Sequence, residues 1–278
     1  MTLRGAVVVF ALSFLVFGHG SLAQAPAAAA GAQTSAASSQ LGTVLVTGSN
    51  RGLGLEFVKQ YAARGWRVIA TTRDPGSAAD LRALAAVDRD IVVEKLDVLD
   101  DAAIAALAAK YSGTPIDVLL NNAGVLGGLD EQRLGTLDYA EFEEVMHVNA
   151  YAPLAMAQAF VEHVASSKQK KIVALTSRSG IISLPGWRGP YFYRASKIAL
   201  NMQMHVLADD LRERGIVVAL VSPPPTDTDM LRALAGPETA ARQTRPPDAI
   251  AGLIKVIDGL TLDNSAQPIY FDGTVLPW

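Results

Sequence analysis

Short apolar runs alternate with amphipathic stretches along most of the chain. Runs rich in valine, isoleucine and leucine predict strands at 43–47, 66–71, 91–96, 116–120, 171–176, 216–221 and 268–271. Apolar residues at helical spacing predict helices at 52–64, 78–87, 102–111, 138–166, 193–214 and 247–260. Strands that are apolar on both faces and alternate with helices indicate a parallel sheet covered on both sides. The predicted fold is an α/β, doubly wound parallel sheet of Rossmann type with helices on both faces, in a single domain at 41–278.

The first forty residues follow a different pattern. Arg4 precedes an unbroken apolar run at 6–17, and Ala23-Gln24-Ala25 places small residues where a signal peptidase reads them. Residues 1–25 are therefore predicted to be a signal peptide, with an uncleaved membrane anchor or a misassigned start codon as alternatives. Residues 26–40, rich in alanine and serine, are predicted to be a flexible linker. A genuine signal would make the protein secreted or periplasmic, and otherwise it would be cytoplasmic.

The composition excludes several classes of protein. The chain has 24 basic and 27 acidic residues, no cysteine, and a formal net charge of −3. The basic surplus typical of nucleic-acid binders is missing, so no nucleic-acid partner is predicted. Thiolate nucleophiles, zinc-thiolate sites and iron–sulfur clusters are excluded because they need cysteine. The four histidines lack ligand-like spacing, and no metal site is predicted.

A glycine-rich turn follows the first predicted strand and opens the first predicted helix. Its glycines allow close backbone approach, and the helix N-terminus offers free amide N–H groups to a pyrophosphate. The strand–turn–helix order therefore predicts dinucleotide binding. The residues predicted to contact the cofactor here are Gly48, Ser49, Asn50, Arg51, Gly52, Leu53 and Gly54.

Two arginines favour NADP over NAD. Arg51 lies inside the glycine-rich turn, and Arg73 follows the second predicted strand. An NAD-specific site would place a carboxylate at the end of that strand, but Asp74 lies one residue further on. Guanidinium groups match the oxygens of a 2′-phosphate, which NADP carries and NAD lacks. The alternative is that both arginines are solvated surface residues.

Candidate proton-transfer groups come from two predicted elements. Tyr193 and Lys197 lie four residues apart and would share one face of a helix. A nearby ammonium is expected to lower the pKa of a phenol towards the range of an acid–base catalyst. Ser177 follows the fifth strand, at the edge where a doubly wound sheet opens its crevice, and its hydroxyl can donate to a carbonyl oxygen.

Four motifs in order resemble the short-chain dehydrogenase/reductase family. They are Thr47-x-x-x-Arg51-Gly52-x-Gly54, Asn121-Asn122-Ala123-Gly124, a serine after the fifth strand, and Tyr193-x-x-x-Lys197. The resemblance covers about residues 43–278. The segments 193–201 and 270–278 are similar to the carbonyl reductase branch that includes C-factor and sniffer-like proteins. The resemblance implies an NADP(H)-dependent oxidoreductase that interconverts a carbonyl and an alcohol by hydride transfer.

The resemblance also implies roles for individual residues. Tyr193 would be the acid–base, Lys197 would bind the nicotinamide ribose and lower the pKa of Tyr193, and Ser177 would orient the carbonyl. Asn149 would complete a proton relay through water to Lys197. The remaining implied cofactor contacts are Asp97 and Val98 at the adenine, Asn122, Ala123 and Gly124 at the adenosine ribose, and Thr226 and Thr228 at the nicotinamide carboxamide.

Several features leave alternatives open. Pro224 replaces the glycine that the family usually has after the sixth strand. Tyr191 has no lysine four residues later and is expected in the substrate pocket with Trp187. The apolar segment at 226–244 is either a pocket wall or an ordinary amphipathic helix.

The expected partners are a small carbonyl or alcohol substrate and a second copy, in a homodimer or homotetramer. The alternative function is a non-catalytic dinucleotide-binding signalling protein.

Overall fold

Seven parallel strands form the centre of the fold in the computed structural model, which describes residues 41–184 and 189–278. The strands β1 to β7 are Thr43–Val46, Arg67–Thr72, Ile91–Lys95, Val118–Asn121, Lys171–Leu175, Val217–Ser222 and Pro268–Tyr270. Their order is β3-β2-β1-β4-β5-β6-β7, with every neighbouring pair parallel. The predicted doubly wound α/β fold is confirmed. The segments at 1–25 and 26–40 lie outside the described residues.

Helices cover both faces of this sheet. Within the described residues, α1 to α9 are Gly52–Ala63, Ala79–Val87, Asp101–Lys110, Tyr139–Met146, Ala152–Ala165, Tyr191–Leu211, Asp229–Ala235, Pro237–Ala241 and Pro246–Asp258. Successive strand residues point to opposite faces. Val44 and Val46 join a core with Phe57 of α1, whereas Leu45 joins a second core with Phe160 of α5. The central strand β1 therefore has apolar residues on both faces.

The strand order reverses between β1 and β4. In the register of the sheet, Val46 of β1 lies beside Ala70 of β2 and Leu120 of β4. The connection after β1 leads to β2 and the connection after β4 leads to β5, on opposite sides, so the two loops separate at the carboxyl ends of these strands. A crevice at this switch point is the usual ligand site of doubly wound sheets.

The long helix predicted at 138–166 is interrupted. It consists of α4, a turn of π-helix at His147–Tyr151, and α5. Pro153 has no N–H to give to the carbonyl of Asn149, which lies four residues earlier, so a regular α-helical hydrogen bond cannot form there. Such π-turns often occur at functional sites, and this one contains the predicted relay residue.

Two kinds of feature are missing from residues 41–184 and 189–278. None of the helices there combines the length and the apolar character needed to cross a membrane. No group of three or more histidine, aspartate or glutamate side chains there is arranged to hold a metal ion.

Candidate active site

A cleft of about 370 Å³ lies at the switch point of the sheet. It brings together segments that are far apart in sequence and that were predicted to hold a cofactor. The predicted residues that line it are Gly48, Asn50, Arg51, Gly52, Leu53, Gly54, Arg73, Asp97, Val98, Asn122, Ala123, Gly124, Tyr193, Lys197 and Thr228.

The glycine-rich turn is folded tightly enough to exclude side chains at two positions. Gly48 has a φ of +67°, which favours glycine. A Cβ at Gly54 would lie 2.1 Å from the Gly48 carbonyl oxygen. Asn122, directly after β4, holds the same turn, because its Nδ2 donates to the carbonyls of Thr47 at 2.7 Å and Gly48 at 3.0 Å. The N-terminus of α1 thus borders a cradle of backbone, a setting that suits a pyrophosphate.

Two predicted cofactor residues lie elsewhere. Ser49 is fully buried, and its hydroxyl donates to the Val46 carbonyl at 2.9 Å while its amide donates to Thr71. Both polar groups are used inside the fold, so Ser49 supports the turn and does not line the cleft. Thr226 lines a second cavity instead, and its hydroxyl donates to the Pro224 carbonyl at 2.7 Å.

The predicted proton-transfer groups converge at the inner end of the cleft. Ser177 lies beside Tyr193, close enough for its side chain to act on the pKa of the Tyr193 phenol. The Lys197 ammonium lies 5.9 Å from the centroid of the Tyr193 ring and donates to the Leu175 carbonyl at 2.9 Å. Leu175 ends β5, so the carboxyl end of a central strand fixes the position of the ammonium. The three side chains predicted from sequence therefore form one cluster.

Burial controls the charges of this cluster. It raises the pKa of the Tyr193 phenol, and the hydrogen bond with Ser177 opposes this shift only in part. Burial also lowers the pKa of Lys197 to about 8. The pKa of Tyr193 shifts in the direction opposite to the one expected from the Tyr-Lys spacing, because loss of hydration disfavours the phenolate. At neutral pH the site therefore holds a protonated phenol beside a lysine that is mostly charged.

The Lys197 pKa predicts an alkaline limit to activity. We expect the rate of a reaction that needs the charged Lys197 to fall as pH rises through about 8, since Lys197 loses its charge there. Below that pH the ammonium keeps its charge, and Tyr193, with its raised pKa, stays protonated on both sides of the limit. A pH–rate profile checks this, and one that stays flat through this range would contradict it.

Asn149 lies in the π-turn with a fully buried side chain. Its Oδ1 accepts from the Val125 amide at 2.8 Å, and its Nδ2 donates to the Val125 carbonyl at 2.8 Å and the Ser196 hydroxyl at 3.0 Å. These contacts tie the loop after β4 to α6. Gly124 lies between Asn149 and Lys197, as a Cβ there would be 3.2 Å from Asn149 Oδ1 and 3.8 Å from Lys197 Nζ. The structure thus places Asn149 near the lysine, with each side chain hydrogen-bonded to other partners.

Gln132 is a residue of the site that the sequence did not reveal. It is buried, and its Oε1 accepts from the amides of Phe192 at 2.9 Å and Tyr193 at 3.1 Å. Its Nε2 donates to the carbonyls of Leu126 at 2.9 Å and Gly128 at 3.0 Å. One side chain therefore caps the N-terminus of α6, which carries Tyr193, and joins it to the loop after β4. Neither its spacing nor its neighbours in sequence signal this role.

We expect Gln132→Leu to lower the free energy of unfolding by about 1–3 kcal/mol, because buried amides of α6 lose their acceptor. Chemical denaturation checks this. The matched control is Gln243→Leu, since Gln243 is only partly buried and its Nε2 makes a single 3.2 Å bond to the Thr239 carbonyl. Equal losses in the two variants would contradict the capping role.

A second cavity of about 480 Å³ adjoins the cleft at Tyr193. Ser177 faces it, and so do Met230, Leu231 and Leu234, so the apolar segment at 226–244 supplies a pocket wall. Pro224 also lines it. Tyr191 does not: its side chain is 54% exposed and lies outside the cavity lining, contrary to expectation. Trp187 lies outside the described residues.

Comparisons of the sequence with known proteins identify similar chains. The family model described as short chain dehydrogenase matches residues 42–238. The C-signal protein of Myxococcus xanthus is 36% identical over 62% of this chain and 99% of its own length. A 1-hydroxy-2-glutathionyl-2-methyl-3-butene dehydrogenase of Rhodococcus is 34% identical over 86% of this chain and 100% of its own.

Solved structures show the same similarity. The NADPH-bound carbonyl reductase from chicken fatty liver is 31% identical, with a TM-score of 0.78 over 86% of this chain and 100% of its own. The carbonyl reductase Sniffer of D. melanogaster is 26% identical, with a TM-score of 0.77 over 85% of this chain and 99% of its own.

Proposed function

Because the chain belongs to the short-chain dehydrogenase family, we propose that it is an NADPH-dependent reductase that converts a carbonyl compound to an alcohol, with Tyr193 as the proton donor. The observation that carries this proposal is the position of Tyr193. Tyr193 lines both the cofactor cleft and the second cavity, and Ser177 lines that second cavity beside it. A carbonyl held by these two hydroxyl groups would lie where the two spaces meet.

The cleft fits a dinucleotide because its backbone cradle leaves no room for a Cβ at Gly54. When bound, NADPH supplies a hydride to the carbonyl carbon. The chain's own groups handle the proton: Ser177 donates a hydrogen bond to the carbonyl oxygen, and Tyr193 gives that oxygen its proton. The charged Lys197 stabilises the phenolate that remains, and the phenolate is reprotonated by a relay that passes Asn149. The raised pKa of Tyr193 keeps the proton available at neutral pH.

A preference for NADP over NAD is part of the proposal. Arg51 and Arg73 both line the cleft, and both are exposed. Arg51 also makes a 3.3 Å ion pair with Asp229, a surface contact of small energetic worth. The Asp74 carboxylate accepts from the Gly76 amide at 2.9 Å within its own turn. Arg73 is therefore the stronger candidate for the 2′-phosphate.

We expect Arg73→Ser to reduce the ratio of kcat/KM with NADPH to kcat/KM with NADH by about 10- to 100-fold, the usual range for a lost hydrogen bond to a charged group. Steady-state kinetics with both cofactors check this. Arg82→Ser is the control, because Arg82 is an exposed arginine of α2 outside the cleft lining. An unchanged ratio in Arg73→Ser would remove Arg73 from cofactor selection.

A second candidate function is dinucleotide binding without turnover. The similarity to the C-signal protein favours it, as that name denotes a signal and not a reaction. The two candidates separate in a screen of diverse aldehydes and ketones that follows NADPH consumption at 340 nm. Turnover that depends on Tyr193 supports the reductase, whereas tight NADPH binding with no turnover on any carbonyl supports the binding module.

The N-terminal segment and self-association also stay proposals. Residues 1–25 would be removed as a signal peptide, which N-terminal sequencing of the natively produced protein tests.

A homodimer through α6 is supported by Met202 and Val206, apolar side chains on that helix that are 62% and 51% exposed. Light scattering on the purified protein tests this assembly.

A further inference from the structure

Asn201 is a buried polar side chain in the interior of α6 that the proposed reaction does not use directly. Only 3% of its surface is exposed, and it lines neither the cofactor cleft nor the second cavity. Asparagine is a weaker helix former than leucine or alanine, and burying its amide is costly unless the amide is hydrogen-bonded. The role of Asn201 therefore lies in the groups that it contacts.

The Asn201 side chain holds both ends of the turn that carries Ser177. Its Oδ1 accepts from the hydroxyl of Thr176, and its Nδ2 donates to the carbonyl of Gly180 at 2.9 Å. Thr176 directly precedes Ser177, and Gly180 ends the 3-10 turn Arg178–Gly180 that follows it. One amide group thus fixes the chain on either side of Ser177.

This turn lies directly against α6. A Cβ at Gly180 would be 2.8 Å from the Cβ of Lys197 and 2.9 Å from its carbonyl carbon, so the close approach needs a glycine. Tyr193, Lys197 and Asn201 follow one another at four-residue intervals and share one face of the helix. The same face of α6 therefore carries the proposed proton donor, the ammonium and the side chain that holds the turn.

The hydroxyl of Ser177 is oriented from within the turn. Its Oγ accepts from the Ser179 amide at 3.1 Å, and the Ser177 carbonyl accepts from the Gly180 amide at 2.9 Å. A hydroxyl has one donor and two acceptor sites, so the bond from Ser179 leaves the Ser177 hydrogen available to a substrate carbonyl. The direction of that hydrogen then depends on where the whole turn is held against α6.

We propose that Asn201 is a positioning residue for the reduction: it fixes the Ser177 hydroxyl relative to the Tyr193 hydroxyl, so that both reach one carbonyl oxygen. A hydrogen-bond donor aimed at a developing oxyanion contributes most when it is held in place beforehand. The inference rests on the proposed reductase function and adds to it a residue that lies outside both cavities.

The first test is Asn201→Leu, which keeps the approximate size of the side chain and removes both hydrogen bonds. We expect kcat for carbonyl reduction to fall about 10- to 100-fold, because a misplacement of about 1 Å can cost a rate that much. The Kd for NADPH should change by less than about threefold, since the glycine-rich cradle that faces the pyrophosphate is untouched. Initial rates of NADPH oxidation and fluorescence titration measure the two quantities.

Met204→Ala is the matched control. Met204 is a fully buried core residue of the same helix, and its truncation weakens packing while Asn201 stays in place. Both variants are assayed at a temperature at which they are folded. We expect Met204→Ala to keep a kcat close to that of the native protein.

A second pair of variants shows whether Asn201 acts through Ser177. In the Ser177→Ala background, adding Asn201→Leu should change kcat by less than about twofold, because the hydroxyl that Asn201 positions is already gone. A merely structural role would give the same loss of kcat in both backgrounds.

Hydrogen exchange gives a readout that needs no turnover. The amides of Ser179 and Gly180 are compared with those of β6, whose residues are all buried, in the same sample. Their exchange relative to β6 should rise about tenfold in Asn201→Leu, because the turn then opens locally after the loss of its hydrogen bonds to α6.

Three results would overturn this inference alone. They are a kcat in Asn201→Leu no lower than in Met204→Ala, an equal loss of kcat in the native and Ser177→Ala backgrounds, and unchanged relative exchange in the turn. Failure of the reductase function looks different, because the native protein would then consume no NADPH with any carbonyl compound. The exchange measurement would still show whether Asn201 holds the turn.

Discussion

Tyr193→Phe should reduce kcat for carbonyl reduction by about 10²–10⁴-fold, the usual contribution of a positioned acid–base group. The phenylalanine ring keeps the contact with Lys197, whose ammonium lies 5.9 Å from the ring centroid, and the substitution removes only the hydroxyl group. The proton donor is then lost while the cleft keeps its shape. Initial rates of NADPH oxidation with the best carbonyl from the screen measure the effect.

Cofactor affinity is the control for this variant. The Kd for NADPH, measured by fluorescence titration, should change by less than about threefold, because the backbone cradle at 48–54 is untouched. Tyr191→Phe is the matched variant, since Tyr191 begins the same helix with an exposed side chain outside both cavities. Full activity in Tyr193→Phe would end the assignment of Tyr193 as proton donor.

Gly54→Ala should abolish cofactor binding, with at least about a 100-fold rise in the Kd for NADPH. The added methyl would lie 2.1 Å from the Gly48 carbonyl oxygen and 2.6 Å from Asn122 Nδ2, so the backbone of the turn must move. That movement takes the amide groups at the N-terminus of α1 away from the pyrophosphate. Isothermal titration with NADPH measures the loss directly.

Ligand-dependent stability gives a second measurement for the same variant. NADPH at 100 times its Kd should stabilise the native protein by about 2.7 kcal/mol and should give Gly54→Ala almost nothing. Gly259→Ala is the control, because the nearest atoms to its added Cβ lie at 3.6 and 3.7 Å, which is ordinary contact. NADPH binding by Gly54→Ala with native affinity would show that the turn does not hold the pyrophosphate.

The alternation of apolar runs and helical periods was enough to predict the architecture. Every predicted strand is present within a few residues of its expected ends, because strands buried on both faces show a continuous apolar pattern. The helix predicted at 138–166 was the main departure. Its apolar period continues through the interruption, and only Pro153 marks the place where regular hydrogen bonding must fail.

The candidate site was predictable where its residues are related by local spacing. It was not predictable where burial sets a pKa or where contacts join residues far apart in the chain. Tyr193 and Lys197 were found from their four-residue separation, but the raised pKa of the phenol depends on how deeply the fold buries it. Gln132 contacts an amide sixty residues later in the chain, which no local pattern reveals. Ser49 fits a binding motif in sequence, yet the fold turns it inward.

The four hydrogen bonds of Gln132 affect how the protein opens. Because one side chain holds both the loop after β4 and the first turn of α6, neither segment can detach without breaking contacts of the other. Hydrogen exchange at the amides of Phe192 and Tyr193 then reports the joint opening of both segments and not the fraying of a helix end. Tyr193, the proposed proton donor, is thereby held at the start of a helix, where fraying is normally greatest.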